Sequence, residues 1–555
     1  MTALVVPSCM FAHSKSQSGN VPRPPTNLAK ARVPKYIASI ASQSLTMIVK
    51  SKTPPPMETK PFHLSFLDQN VVRVYTQTLS IFPFPDQNEA EAAIKALSDG
   101  LRLTLQRFPF LAGTLSLADH ESGRLTLDYP TCITFEDMDK LLRSKQIHYD
   151  EKTFPYTYEQ LRQDGMPSSA FHAAMFVPDD FVDFPGIPEF GEGQVDFTKS
   201  DAPAMRVQAC FIPGGLVLSM YIHHSVLDCS GVSTFWTVFS ANVSKVSGRR
   251  ELEADEIFAP RSVAEHQSFM REQLEARIPV PSRSLKDPTA DCYCDGRYEY
   301  EQTLPSDTAC AQRLLVIPAA RIRDYRDQLR QYFPKSNPPT MCNVLAALVW
   351  THVTRARGER LLKNNCKETN IGIATDLRRR QQPPETAQYM GNMALFSKGT
   401  LKIEDLLAEE RVTNKTILHV IEKIKSTIGK VNNDWIATQM AFFKSIERIR
   451  DTECALALRF GADIYITSWL NFAADLRWGI PGTDLDTESL DGRPEFIRRL
   501  YNPSDGGMIF LPRRRKPVNG VEAPFEILVR LAEEDMDRVL NEAGGLKSWT
   551  DAVID

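Results

Sequence analysis

Apolar residues recur at steps of three and four across residues 88–106, where Ile94, Leu97, Leu101 and Leu105 fall on one face, and this spacing predicts an amphipathic helix. The stretch "RFPFLAGTL" that follows ends the helix and opens a hairpin. Alternation replaces the helical period at 207–212 and 216–223. Leu216, Leu218, Met220 and Ile222 share one parity, and "PGG" at 213–215 supplies a turn, so the two runs predict a hairpin whose second strand delivers His223 and His224. Gly231 and the run 232–246 predict a buried helix leaving that strand end.

Elsewhere the pattern is less regular. Residues 44–49 read as a short strand, and "KTPPP" after them enforces an extended turn. From 249 to 300 the chain is rich in charge and proline with weak periodicity, as in a linker containing some helix. The stretch "TMCNVLAALVWTHVTRAR" at 340–357 predicts a mostly buried helix capped by Thr340. "YITSWL" at 465–470 reads as a strand, "MIFL" and "FEILVRL" flank a turn containing Asn519 and Gly520, and 533–540 should be helical. Irregular alternation of strands and helices makes the fold class mixed α/β (α+β). A chain of 555 residues exceeds what one core usually organises. The expected division is therefore a basic extension at 1–43, a first lobe at 44–248, a crossover linker at 249–312 and a second lobe at 313–555.

Composition narrows the partners. With 42% hydrophobic residues, 24% charged residues and a net charge of -4, the chain has no overall bias toward nucleic acid or membrane, and small molecules are the expected ligands. Ten cysteines are scattered without CxxC pairs, the pattern of reduced thiols, and a cytoplasmic location is expected. No apolar run approaches a membrane span, and the amino terminus lacks a signal-peptide centre. The first 57 residues carry seven Lys/Arg and no acid. That composition resembles a transit peptide, but prolines interrupt any amphipathic pattern, and the reading adopted is a disordered basic extension.

The chemistry concentrates in "YIHHSVLDCSG" at 221–231. Adjacent strand residues face opposite sides, so His223 and His224 are poorly placed to grip one metal ion, and no other His/Cys cluster supplies further ligands. A histidine at a strand end suits general-base catalysis, because its unperturbed pKa lies near neutrality. Asp228, four residues beyond His224, has two available roles: orienting the imidazole, or tying the turn by pairing with an arginine. No Gly-x-Ser-x-Gly elbow accompanies the pair, which favours direct transfer without a covalent enzyme intermediate.

On these residues the chain resembles the BAHD and fungal trichothecene O-acetyltransferase-like superfamily of CoA-dependent acyltransferases. Its HHxxxDG signature is matched by His223 to Asp228, with Cys229 in place of the glycine and Gly231 two positions on. Its DFGWG signature is matched in part by Asp475-Leu476-Arg477-Trp478-Gly479. "LSFLDQ" at 64–69, "RFPFLAG" at 107–113, "DLRRR" followed by "YMGN" at 376–392, and "FEILVRL" extend the likeness from about residue 45 onward.

The resemblance implies two chloramphenicol-acetyltransferase-like lobes with a channel between them, a monomer, no metal and no bound cofactor, with acyl-CoA as co-substrate. It implies that His224 is the base and that Asp228 is structural support, paired with Arg378. Asp475, Trp478, Gly479 and Gly231 are implied as scaffold. Thr467 and Trp469 are implied to position the substrate or hold the oxyanion, against the alternative of a cross-strand core pair. The fungal branch implies a hydroxyl of a terpenoid, polyketide or alkaloid as acceptor, and acetyl-CoA as default donor. Two alternatives stand beside this reading: a free-standing condensation-type domain using a carrier-bound acyl group, and a non-catalytic ligand-binding relative. The cluster "PRRRKP" at 512–517 offers either a contact to a CoA phosphate or a solvated approach to a hairpin turn.

Overall fold

The computed structural model describes residues 58–191, 193–248, 263–277, 289–382, 384–385, 388–483, 492–518 and 520–555. The extension at 1–43, the strand expected at 44–49, parts of the crossover (249–262 and 278–288) and Asn519 lie outside the described residues.

The hairpin is Met205–Ile212 and Gly215–His223, with Ile212 opposite Gly215. Gly214 at φ 79° makes the turn, a conformation that favours glycine. Tyr75–Pro83 pairs with the other edge of Gly215–His223, placing Tyr75 opposite His223, and Leu142–Gln146 adds parallel to Met205–Ile212. Every residue of Gly215–His223 is buried, because both faces of this sheet are covered. Helices Ala90–Arg107 and Cys229–Val246 pack on each other so closely that a Cβ on Gly100 would lie 2.6 Å from the Val243 side chain.

The second large sheet has seven strands in the order Ala394–Lys402, Glu368–Asp376, Ile464–Ser468, Gly507–Phe510, Phe525–Ala532, Cys310–Ile317 and Ala552–Ile554. Strand parity separates its two faces. Ile371, Ile373, Ile464, Ile466, Met508 and Phe510 join a core with Val344, Leu348 and Val353 of helix Met341–Lys363. Ala374, Phe396, Tyr465, Ile509 and Leu528 instead pack into the core shared with the first half of the chain. The site lies on this second side.

Helix Met341–Lys363 opens with a reciprocal cap: Thr340 Oγ1 accepts from Asn343 N at 3.1 Å, and Asn343 Oδ1 accepts from Thr340 N at 2.9 Å. It runs six residues past the expected end at 357. The helix after the histidines begins at Cys229 rather than 232, since the Asp228 side chain accepts from Gly231 N and starts the helix three residues earlier. The segment read as a linker contains helix Val263–Ala276 and strand Tyr293–Asp295, which pairs with Thr452–Cys454.

The sheets do not follow the expected division at 312/313. Phe496–Arg498, late in the chain, pairs with Tyr75–Pro83 and becomes an edge of the first-half sheet. Arg498 then holds Glu526 of the second sheet through two hydrogen bonds, at 2.8 and 3.0 Å. The two halves are stitched together by an exchanged strand, which position along the chain does not reveal.

Candidate active site

Two backbone anchors fix the end of strand Gly215–His223. His223 N donates to Ala204 O at 2.9 Å, and His224 N donates to Val74 O at 2.8 Å. The two imidazoles then part, as strand parity requires. His223 is fully buried edge-to-face against Tyr75, with ring centroids 5.1 Å apart, and near Phe197 at 5.5 Å. Its Nδ1 accepts from Ser225 N at 3.1 Å. Burial foremost, then the charges of Arg73 and His224, hold His223 well below its ordinary pKa, so it is a neutral turn element.

His224 is only 3% exposed and meets a different set of groups. Its Nδ1 lies 3.1 Å from Asn392 Oδ1. The orientation of that amide follows from its other bonds: Asn392 Nδ2 donates to Asp68 Oδ1 and to the His224 carbonyl, both at 2.8 Å. Both are acceptors, so the nitrogen must face them and the oxygen must face the imidazole. His224 Nδ1 therefore carries the proton, which leaves Nε2 as the basic nitrogen.

Asp68 anchors this arrangement. It accepts from Ser65 N and Ser65 Oγ at 2.9 Å, from Asn392 N at 2.7 Å and from Arg271 Nε at 2.9 Å. Arg271 is fully buried and also donates to Val226 O, within the histidine motif, at 2.9 Å. Neither the role of Asp68 nor that of Asn392 emerged from sequence reasoning, although both lie inside the family-like stretches "LSFLDQ" and "YMGN".

Asp228 takes the second of its two available roles. It points away from the imidazole and forms a two-pronged pair with Arg378, at 2.8 and 3.0 Å, while accepting from Gly231 N at 3.0 Å and Met393 N at 3.0 Å. Arg378 also donates to Tyr389 O and Gly391 O, at 3.1 and 2.7 Å. Burial works against the Arg378 charge, but Asp228 and Asp376 more than offset it and raise the guanidinium pKa. Gly231 sits where the helix meets the same segment, and a Cβ there would lie 2.1 Å from Met390 O. Asp228, Arg378 and Gly231 thus seat 389–392 against the histidine motif, which places Asn392.

Thr467 and Trp469 lie on the parity of Tyr465, facing the core shared by both halves. Trp469 is 1% exposed, its Nε1 has no hydrogen-bond partner among the described residues, and the Arg499 guanidinium lies 5.4 Å from its ring centroid. The Asp475-to-Gly479 segment works elsewhere. Asp475 is exposed and accepts from Arg515 N at 3.2 Å. Trp478 packs edge-on against Phe82 and Phe239, at 6.1 and 5.1 Å, and Gly479 adopts φ 57°. Phe239 belongs to the helix capped by Asp228, so the segment braces the first lobe. In "PRRRKP" each arginine has protein partners: Arg513 with Glu522 and Ala523 O, Arg514 with Glu495 O, Arg515 with Asn471 O.

A cleft of about 230 Å³ reaches Asn392, while His224, Thr467 and Trp469 are not among its lining residues. Its walls come from both halves and include Asn392, Tyr293, Phe443, Phe197 and Arg73. Among the described residues no three His, Cys, Asp or Glu side chains lie close enough to hold a metal ion. No described helix is long and apolar enough to cross a membrane.

Comparison with known proteins adds a lineage to this geometry. A family model described as "Trichothecene 3-O-acetyltransferase-like N-terminal domain" matches residues 74–242, and one described as "Transferase family" matches residues 190–543. Trichothecene 8-O-acetyltransferase of Fusarium sporotrichioides is 24% identical over 523 residues, which covers 89% of this chain and 98% of that one. Trichothecene 3-O-acetyltransferase of Saccharomyces cerevisiae is 23% identical, with 90% and 96% covered. Among solved structures, F. graminearum TRI101 complexed with coenzyme A and deoxynivalenol superimposes with a TM-score of 0.67 at 16% identity, covering 89% of this chain and 99% of that one. Vinorine synthase superimposes with a TM-score of 0.51 at 16% identity, covering 90% and 96%.

Proposed function

The chain belongs to the Transferase family, and on that premise we propose that it is an O-acyltransferase that moves an acyl group, acetyl by default, from acyl-CoA to a hydroxyl of a small secondary metabolite. The observation that carries this reading is the Nδ1 contact of His224 with Asn392 Oδ1, because it reserves Nε2 as a base. Relatives named as acetyltransferases, and a fold shared with a protein crystallised with coenzyme A, support the class of donor and acceptor.

The chemistry runs as one addition and one elimination. His224 Nε2 takes the hydroxyl proton as the acceptor oxygen bonds to the thioester carbonyl carbon, giving a tetrahedral oxyanion. The carbon–sulfur bond then breaks, and the imidazolium returns the proton to the departing thiolate. Asn392 stabilises the imidazolium by accepting a hydrogen bond from Nδ1–H, and Asp68 holds Asn392 in that orientation. Trp469 Nε1, a buried donor lacking a partner among the described residues, is suited to bind a substrate oxygen or the oxyanion. Thr467 lies on the same face of its strand and is assigned to acceptor positioning. The same reading takes the enzyme as a cytosolic monomer, in keeping with the nine described cysteines, all of them free thiols.

The test is acceptor-dependent release of CoA thiol by the purified protein, using acetyl-CoA and longer acyl-CoA donors against hydroxylated terpenoids, polyketides and alkaloids. Release that tracks an acylated product supports the reading. Transfer only from a carrier-bound acyl group, with every CoA thioester inert, would overturn it.

A further inference from the structure

The segment that joins the two halves carries a fully buried cation three hydrogen bonds from the imidazole, along Arg271, Asp68, Asn392 and His224. Arg271 belongs to helix Val263–Ala276, and its donors are committed in three directions: Nε to Asp68 Oδ2 at 2.9 Å, Nη2 to Val226 O at 2.9 Å and Nη1 to Gln267 O at 3.2 Å. The guanidinium lies over the rings of Phe62 and Tyr389, at 4.7 and 5.5 Å from their centroids. It also bears on the loop that carries Asn392, since a Cβ on Gly391 would lie 2.9 Å from Arg271 Cζ. The same helix holds that loop through Gln267, which accepts from Met390 N at 3.0 Å and donates to Gln388 O at 2.6 Å.

These contacts converge on His224 from two directions. Through Asp68, Arg271 fixes the Asn392 amide that meets Nδ1. Through Val226 O it fixes the turn that follows the base, where Val226 N donates back to His223 O at 2.9 Å. A guanidinium can serve both because its donors are rigidly splayed in one plane. Lysine gathers its donors on one nitrogen, so it can keep the charge beside Asp68 without reproducing the span to Val226.

We propose that Arg271 is a positioning residue for acyl transfer: it ties the Asp68–Asn392 side of His224 to the turn on its other side, and so sets where the base stands. The inference rests on the reading of His224 as that base. The connecting segment then does more than join two halves, because the residue that registers His224 of the first against Asn392 of the second comes from between them.

Arg271→Lys is the informative variant, since it keeps the charge that buried Asp68 needs beside it. Its kcat should fall at least about tenfold, the lower end of the range for metal-bound histidines that lose an orienting partner, while KM for acyl-CoA is unchanged. Arg357→Lys is the control: Arg357 pairs with Asp505 at 2.6 Å, both side chains 0% exposed, on helix Met341–Lys363 across the second sheet from the site. That variant should keep full kcat per folded molecule. Nitrogen-15 spectra without substrate give a readout whose failure is separable from failure of the acyl-transfer reading: the His224 Nδ1–H signal should be lost to solvent exchange in Arg271→Lys and kept in Arg357→Lys. In the unaltered protein, where no variant has to fold, Arg271 Nε–H and His224 Nδ1–H should exchange at one common rate, as groups released by a single opening. Full kcat in a folded Arg271→Lys, an equal loss in Arg357→Lys, or unrelated exchange rates in the unaltered protein would each overturn the proposal.

Discussion

Asn392 is bonded to His224 twice, through its Oδ1 to the imidazole Nδ1 at 3.1 Å and through its Nδ2 to the backbone carbonyl at 2.8 Å, although the two residues are 168 positions apart. One side chain thus sets both the tautomer of the imidazole and the position of the strand end that carries it. Asp68, held by Arg271, prevents the amide from flipping by requiring a donor on its other side.

Replacing Asn392 by Ala should therefore reduce kcat by roughly ten- to a hundredfold, taking as a guide the range for metal-bound histidines that lose their orienting partner, with a smaller change in KM for acyl-CoA. Nitrogen-15 spectra of histidine-labelled protein provide a readout that simple destabilisation does not move. In the unaltered enzyme His224 should carry its proton on Nδ1, and in Asn392→Ala the preference should be lost. A proton found on Nε2 of the unaltered protein would refute the assigned tautomer.

The Asp228–Arg378 pair predicts a loss of stability rather than of chemistry. Both side chains are almost fully buried, at 0% and 5% exposure, so removing one leaves the other charge without its partner. Arg378→Ala should cost about 3–5 kcal/mol, the usual result of breaking a buried pair. Thermal or urea unfolding at pH 7 measures it. A variant of unchanged stability would mean that the pair contributes nothing to seating 389–392.

His223 gives a pH-dependent prediction. Its folded pKa is depressed, and that of an unfolded histidine is about 6.5. Above that value both states are neutral and the group is neutral to stability. As the pH falls from about 6.5 toward the depressed folded value, the unfolded chain binds a proton that the folded chain refuses, and stability drops. The melting temperature of the unaltered protein should fall more steeply between pH 7 and pH 5 than that of His223→Asn, which keeps an acceptor for Ser225 N. Parallel curves would show that the folded protein accommodates the charge.

The hairpin and the two long helices were legible because each rests on local signals: alternation ending in "PGG", a three-and-four period from Ile94 to Leu105, and a Thr340 cap before an apolar run. The histidine motif, with Asp228 assigned to Arg378, came from family likeness, and the structure brings those side chains together. What escaped detection depends on long-range contact. Asp68, His224, Arg271 and Asn392 lie on four separate segments, and nothing near any of them announces the others. Strand Phe496–Arg498 is too short to show a period, and its partner lies more than 400 residues earlier. Tyr293 lies in a stretch whose charge and proline content suggested only a connection.

The most direct test of the central claim compares the protein with His224→Ala in acceptor-dependent release of CoA thiol, with CoA affinity and melting temperature measured on the same samples. The account predicts a fall in turnover of about a hundredfold to ten-thousandfold, the usual contribution of a positioned base, while CoA binding and folding stay close to those of the unaltered protein. Turnover retained in a folded His224→Ala variant would contradict it.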